Sequence, residues 1–93
     1  MTKKKPICQA IKTKSDVRES KLGCKGRILA YLNSFESSYV ATGFFVDVMT
    51  GKHLYPDCLE AYTDGSWYWD TVDIYYFEMY DNELDPEFVS QFV

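Results

Sequence analysis

Four residues of this 93-residue chain have the chemistry of a nucleophile or a soft metal ligand: Cys8, Cys24, Cys58 and His53. No two of the cysteines form a Cys-x-x-Cys pair, and three is an odd number, so at least one thiol stays free. His53 is the sole histidine and follows Gly51-Lys52 in a turn-like stretch; without thiolates beside it, one imidazole cannot hold zinc. Free cysteines of a reducing compartment account for all three thiols. Glycosidase chemistry would need two carboxylates facing each other across a cleft, and Asp64, Asp70 and Asp73 are the nominees. Each has a simpler local use, in a hairpin turn, as a helix cap and in a first helical turn. The sequence therefore predicts no catalytic residue, no cofactor and no metal site, and a protein that is not an enzyme.

The chemistry that remains is recognition. Between Tyr62 and Tyr80 the chain packs Tyr62, Trp67, Tyr68, Trp69, Tyr75, Tyr76, Phe77 and Tyr80 among Asp64, Asp70, Asp73 and Glu78. Tryptophan and tyrosine are enriched among interface anchors, and acidic rims speed the approach of cationic partners. The candidate partner-binding residues are Trp67, Trp69, Asp70, Asp73, Ile74, Phe77, Glu78 and Asp81. Trp67 and Trp69 share one face of a strand; Ile74 and Phe77 form a second apolar pair on the helix that follows, which packing on a sheet alone does not require.

Charge divides the chain. Residues 1–27 carry nine basic side chains against Asp16 and Glu19, for +7, whereas residues 28–93 carry Lys52 against twelve acids, for −11. This is a basic N-terminal arm, residues 1–22, on an acidic single domain, residues 23–93. The acidic body repels nucleic acid and attracts a basic protein, through an attraction that salt weakens. The arm lacks the interleaved aromatics of a nucleic-acid-binding segment. The apolar stretch from Val40 to Met49 is far too short to span a bilayer, and Pro6 to Ser20 offers no apolar run for a secretory signal. No membrane association and a cytoplasmic location are expected.

The elements that must position these residues are legible as an α+β pattern, an antiparallel three- to four-stranded meander with helices packed on one face. Ile28, Leu29 and Leu32 give a helical stripe in Arg27–Asn33. Tyr39 to Met49 reads as one strand whose even positions, Val40, Phe44, Val46 and Val48, look into the core. Thr50-Gly51 turns the chain back through Lys52 to Tyr55, and Pro56-Asp57 interrupts the ladder. Asp64-Gly65 is a hairpin signal leading to Trp67-Tyr68-Trp69. Asp70 caps a helix over Thr71–Tyr80, with Asp73 three residues on. Asp85-Pro86 starts a short terminal helix anchored by Phe88, Val89, Phe92 and Val93. Ile7 to Ile11 can add an edge strand.

Thr63-Asp64-Gly65-Ser66-Trp67-Tyr68-Trp69, then Asp73, Tyr75-Tyr76, Glu78 and Tyr80, then Leu84, Pro86 and Phe88, resembles the C-terminal signature of a group of small bacterial proteins encoded near polymorphic toxins. The resemblance covers the last third of the chain. It departs from that pattern at Asp70, where proline follows the second tryptophan, and at Leu84-Asp85-Pro86, where leucine and proline are adjacent. It implies an immunity role and carries over no catalytic residue.

The expected function is thus a non-enzymatic inhibitor, of immunity type, that binds a basic toxin or effector through an acidic aromatic surface. Two alternatives stay open. One is a phage- or mobile-element-encoded antagonist in the manner of an anti-CRISPR protein, with Asp70, Asp73, Asp81, Glu83, Asp85 and Glu87 imitating a phosphate backbone. The other is a small-molecule or carbohydrate-binding module using the tryptophans. The same exposed aromatics could support a homodimer.

Overall fold

The computed structural model describes residues 4–93 and bears out the α+β class. In chain order the elements are β1 (Lys5–Pro6), α1 (Lys25–Leu32), β2 (Tyr39–Ala41), β3 (Phe45–Val46), β4 (His53–Leu54), β5 (Leu59–Thr63), β6 (Trp67–Asp70), α2 (Thr71–Tyr80) and α3 (Pro86–Val89). Four strands form one sheet in the order β1-β6-β5-β2, and β3 and β4 form a separate antiparallel hairpin. β5 and β6 pair as the Asp64-Gly65 turn dictates, with Tyr62 opposite Trp69. Gly65 takes φ 100°, and Asp64 Oδ1 accepts from the N–H groups of Ser66 (2.9 Å) and Trp67 (2.8 Å). That closes the turn on itself.

The stretch read as a basic arm is built into this fold from Lys5 onward; Met1, Thr2 and Lys3 lie outside the described residues. β1 lies parallel to β6, Lys5 opposite Trp67. Ile7 is fully buried, donating its N–H to the Tyr68 carbonyl (3.1 Å) and accepting from Asp85 N (2.7 Å). Farther along, Ser20 N bonds to the Asp81 carbonyl and Glu83 N to the Arg18 carbonyl, both at 2.7 Å. The charge count hid this because a single isoleucine aimed at the core outweighs neighbours that stay in water.

The expected strand from Tyr39 to Met49 is broken at Gly43, whose φ of 151° disfavours any side chain. β2 stays in the main sheet while β3 leaves to pair with β4, Val46 opposite His53. The face inverts as well. Val40, Phe44 and Val46, expected in the core, are exposed, whereas Asp47 is buried and Phe45 meets Tyr75 edge-on at 5.1 Å.

The core joins one face of β6 to α1, α2 and α3. Trp69 is enclosed by Tyr31, Phe35, Tyr62 and Phe88, its indole N–H bonded to the Leu32 carbonyl (3.2 Å). Ile28, Leu32, Phe77, Leu84 and Phe88 complete it. α2 starts where the sequence places it. Asp70 accepts from Asp73 N (2.8 Å), and the Asp73 carboxylate in turn accepts from Asp70 N (3.1 Å). α3 likewise starts on Asp85, which accepts from Glu87 N, with Pro86 in the first turn.

Candidate functional site

The residues nominated from sequence do not converge on one face. Trp67, Trp69, Ile74 and Phe77 are buried, so they hold the fold and cannot touch a partner while it is intact. Phe77 is covered by Lys25, whose ammonium lies 5.9 Å above its ring, donates to the Glu78 carbonyl (2.8 Å) and pairs with Asp81 (2.7 Å). The second apolar pair is therefore taken up by α1 and its lysine. Asp70 and Glu78 are exposed, and Asp73 and Asp81 are half-buried in cap contacts. With the tryptophans enclosed, sugar stacking on them is closed off too.

What α2 holds on its other side is the β3–β4 hairpin. Asp47 Oδ2 accepts from the hydroxyls of Tyr75 and Tyr80, each at 2.5 Å, and Oδ1 from the N–H groups of Met49 (2.8 Å) and Thr50 (3.2 Å). Tyr76 adds a two-way link, donating to the Val46 carbonyl (2.9 Å) and accepting from Val48 N (3.0 Å). Burial pushes the Asp47 carboxyl up, but the tyrosine hydroxyls and the two N–H groups outweigh it and hold the group below its ordinary value. An isolated two-stranded hairpin is marginal in water; this one is fixed to a helix by four side chains.

Its outward face carries Phe44, Val46, His53 and Tyr55. The Phe44 ring lies 5.1 Å from His53 and 5.5 Å from Tyr55, yet Phe44 is 51% and Tyr55 72% exposed. On a hairpin tied to α2, these aromatic side chains stay grouped together in water. Sequence periodicity missed this face because Phe44 and Val46 read as core. The signal available was Asp47 amid apolar neighbours, together with three tyrosines on α2 whose hydroxyls need partners.

Compared with protein-family models, curated proteins and solved structures, the chain matches none of them.

Burial, then the charge of Asp73, pushes the Cys8 thiol upward, away from the thiolate form. Its Sγ donates to Asp73 Oδ1 (3.3 Å). Among the described residues, no group of three or more His, Cys, Asp and Glu is placed to hold a metal ion, and no helix is long and apolar enough to cross a membrane. A cleft of about 290 Å³ beside β1 is lined by both signs, including Lys5, Arg18, Asp16, Glu83 and Asp85. Several of these groups are already engaged. Lys5 pairs with Glu87 (3.3 Å), Asp16 accepts from Lys12 N and Thr13 N, and Asp85 caps α3.

Asp73 gives a pH signature. Burial first, then the charge of Asp70, raises its carboxyl well above the usual carboxylate range. The folded chain therefore takes up a proton that the unfolded chain, titrating near 4, has released. The stability this group contributes is full below about pH 4 and is lost as pH rises through the folded value. Asp73→Asn should gain stability relative to the parent between pH 5 and pH 8, by on the order of 1 kcal/mol, in urea denaturation across that range. A difference that does not change with pH would refute it.

Proposed function

We propose that this protein is a non-enzymatic binding protein of the immunity type, which neutralises a basic toxin or effector in the cytoplasm. The observation that carries the reading is the braced aromatic face of Phe44, His53 and Tyr55, displayed on a chain of net charge −4. Binding energy concentrates in a few aromatic anchors held rigid before contact, and acidic surroundings steer a cationic partner to them. The proposed docking surface differs from the one the sequence suggests: the anchors are on the hairpin, and the tryptophans are buried in the core. Phosphate mimicry is less favoured, because the C-terminal acids are largely spent on contacts within the fold, Asp81 with Lys25 and Glu87 with Lys5.

The test is capture of the partner from native cells by the tagged protein, at low and then at high salt, with mass spectrometry of what is retained. A basic protein released as salt rises is the expected result. Phe44→Ala and Tyr55→Ala should each weaken its binding tenfold or more, as hot-spot truncations do, with thermal stability close to the parent because both rings are exposed. Unchanged affinity in both variants would remove the hairpin from the interface.

A further inference from the structure

The cleft of about 290 Å³ beside β1 is closed on one side by residues 5–18 and on the other by residues 82–86, the connection from α2 to α3. Its two walls are tied together, Glu83 N to the Arg18 carbonyl and Asp85 N to the Ile7 carbonyl, both at 2.7 Å. Asn82 lines this cleft and is only 4% exposed. Its Oδ1 accepts from Arg18 N (3.0 Å). That bond sets the amide orientation: the oxygen must face the Arg18 N–H, and the Nδ2 group turns the other way. Nδ2 donates to no group among the described residues, yet no fully buried side-chain nitrogen or oxygen there lacks a partner. The Asn82 donor therefore keeps an opening to water, and the opening that Asn82 lines is the cleft.

Two opposite charges beside it are also unspent. Arg18 and Glu83 line the cleft, and among the described residues neither side chain joins an ion pair. Lys5, Asp16 and Asp85 are already engaged, with Glu87, with the N–H groups of Lys12 and Thr13, and as the cap of α3. The apolar part of the lining is Pro6, Leu84 and Pro86.

We infer that this cleft binds a free α-amino acid with an aliphatic side chain, its carboxylate on Arg18 and the Asn82 amide, its ammonium on Glu83 and its side chain against Pro6, Leu84 and Pro86. A guanidinium and an amide donor suit the two oxygens of a carboxylate. A simple anion would leave Glu83 unpaired and a simple cation would leave Arg18 and the Asn82 donor unpaired, so the lining selects a molecule that carries both charges. Size favours a single amino acid over a peptide, because the volume stands at the lower limit of ligand pockets, about 300 Å³. None of these residues belongs to the β3–β4 hairpin. The site goes beyond the proposed function, and neither reading depends on the other.

The probe is L-leucine, titrated at up to millimolar concentration into the isotope-labelled full chain and followed by nuclear magnetic resonance. N-acetyl-L-leucine, which lacks the ammonium, and L-leucinamide, which lacks the carboxylate, are run beside it. L-leucine should shift the Asn82 side-chain amide signal and the backbone signals of residues 82–85, and each analogue should bind at least tenfold more weakly. Arg18→Gln and Glu83→Gln should each weaken L-leucine at least tenfold, the size of a lost charge-assisted hydrogen bond, at unchanged melting temperature because both side chains are exposed. Asn82→Asp keeps the acceptor for Arg18 N and replaces the donor with an oxygen, so it should abolish binding. Lys12→Gln, which removes an exposed charge outside the cleft lining, should alter affinity less than twofold. No response of the parent to L-leucine, equal binding of the two analogues and L-leucine, shifts confined to residues 44–55, or equal loss in Arg18→Gln and Lys12→Gln overturns the inference.

Discussion

Replacing Asp47 with alanine is expected to cost about 2–4 kcal/mol of folding stability, since each buried donor left without an acceptor costs roughly 1–3 kcal/mol. Four donors lose their acceptor at once: the hydroxyls of Tyr75 and Tyr80 and the N–H groups of Met49 and Thr50. Half-buried Tyr75 and Tyr80 recover water in part, which keeps the total below the sum. Asp47→Asn should cost about half as much, because its amide oxygen can still accept from the two N–H groups while the tyrosines must turn to accept from its nitrogen. The folded carboxyl titrates below its ordinary value, so its contribution is full above about pH 4 and fades as pH falls through the folded value. The gap between parent and Asp47→Ala should therefore narrow in acid. Urea denaturation at pH 7 and pH 3, with hydrogen exchange over residues 44–55, measures both effects. An Asp47→Ala protein within 0.5 kcal/mol of the parent at pH 7, roughly the size of a neutral surface change, would mean that the tyrosine bracket does not hold the hairpin.

Trp69→Ala is expected to cost about 3–5 kcal/mol, the usual penalty for emptying a large aromatic site. Trp69 is 1% exposed, lies among four aromatic rings and donates to the Leu32 carbonyl. Against a total stability of about 5–15 kcal/mol for a domain of this kind, such a loss brings the chain close to unfolding. The comparison with Phe44→Ala tests core packing against the proposed contact role. The core substitution should lower the urea midpoint sharply and weaken partner binding only through the unfolded fraction, so affinity returns when measured at low temperature on folded protein. The hairpin substitution should leave the midpoint nearly unchanged and weaken binding directly. A stable Trp69→Ala protein with lost affinity would put the indole back at the interface.

Local chemistry made much of this fold legible. Asp64-Gly65 specifies a turn by itself, because glycine accepts φ 100° and the aspartate oxygen closes the loop. The starts of α2 and α3 were equally plain, since the caps Asp70 and Asp85 act on amides two or three residues away. The candidate site was far less legible. A hydrophobic pattern ranks residues by their own polarity, and on that scale Asp47 belongs outside while Phe44 and Val46 belong inside. The opposite holds because Tyr75 and Tyr80, some thirty residues later, bring hydroxyls to the carboxylate.

The sequence by itself determined what depends on near neighbours and on totals: the α+β class, the turns and caps, the net negative charge, and a concentration of aromatics between Tyr62 and Tyr80. Tertiary structure alone decided which aromatics face water. Lys25 and α1 cover Phe77, the sheet and α3 enclose the tryptophans, and Gly43 releases β3 from the main sheet to lie against α2. Burial is a property of what arrives opposite a side chain, and those partners come from distant parts of the chain that no local pattern encodes.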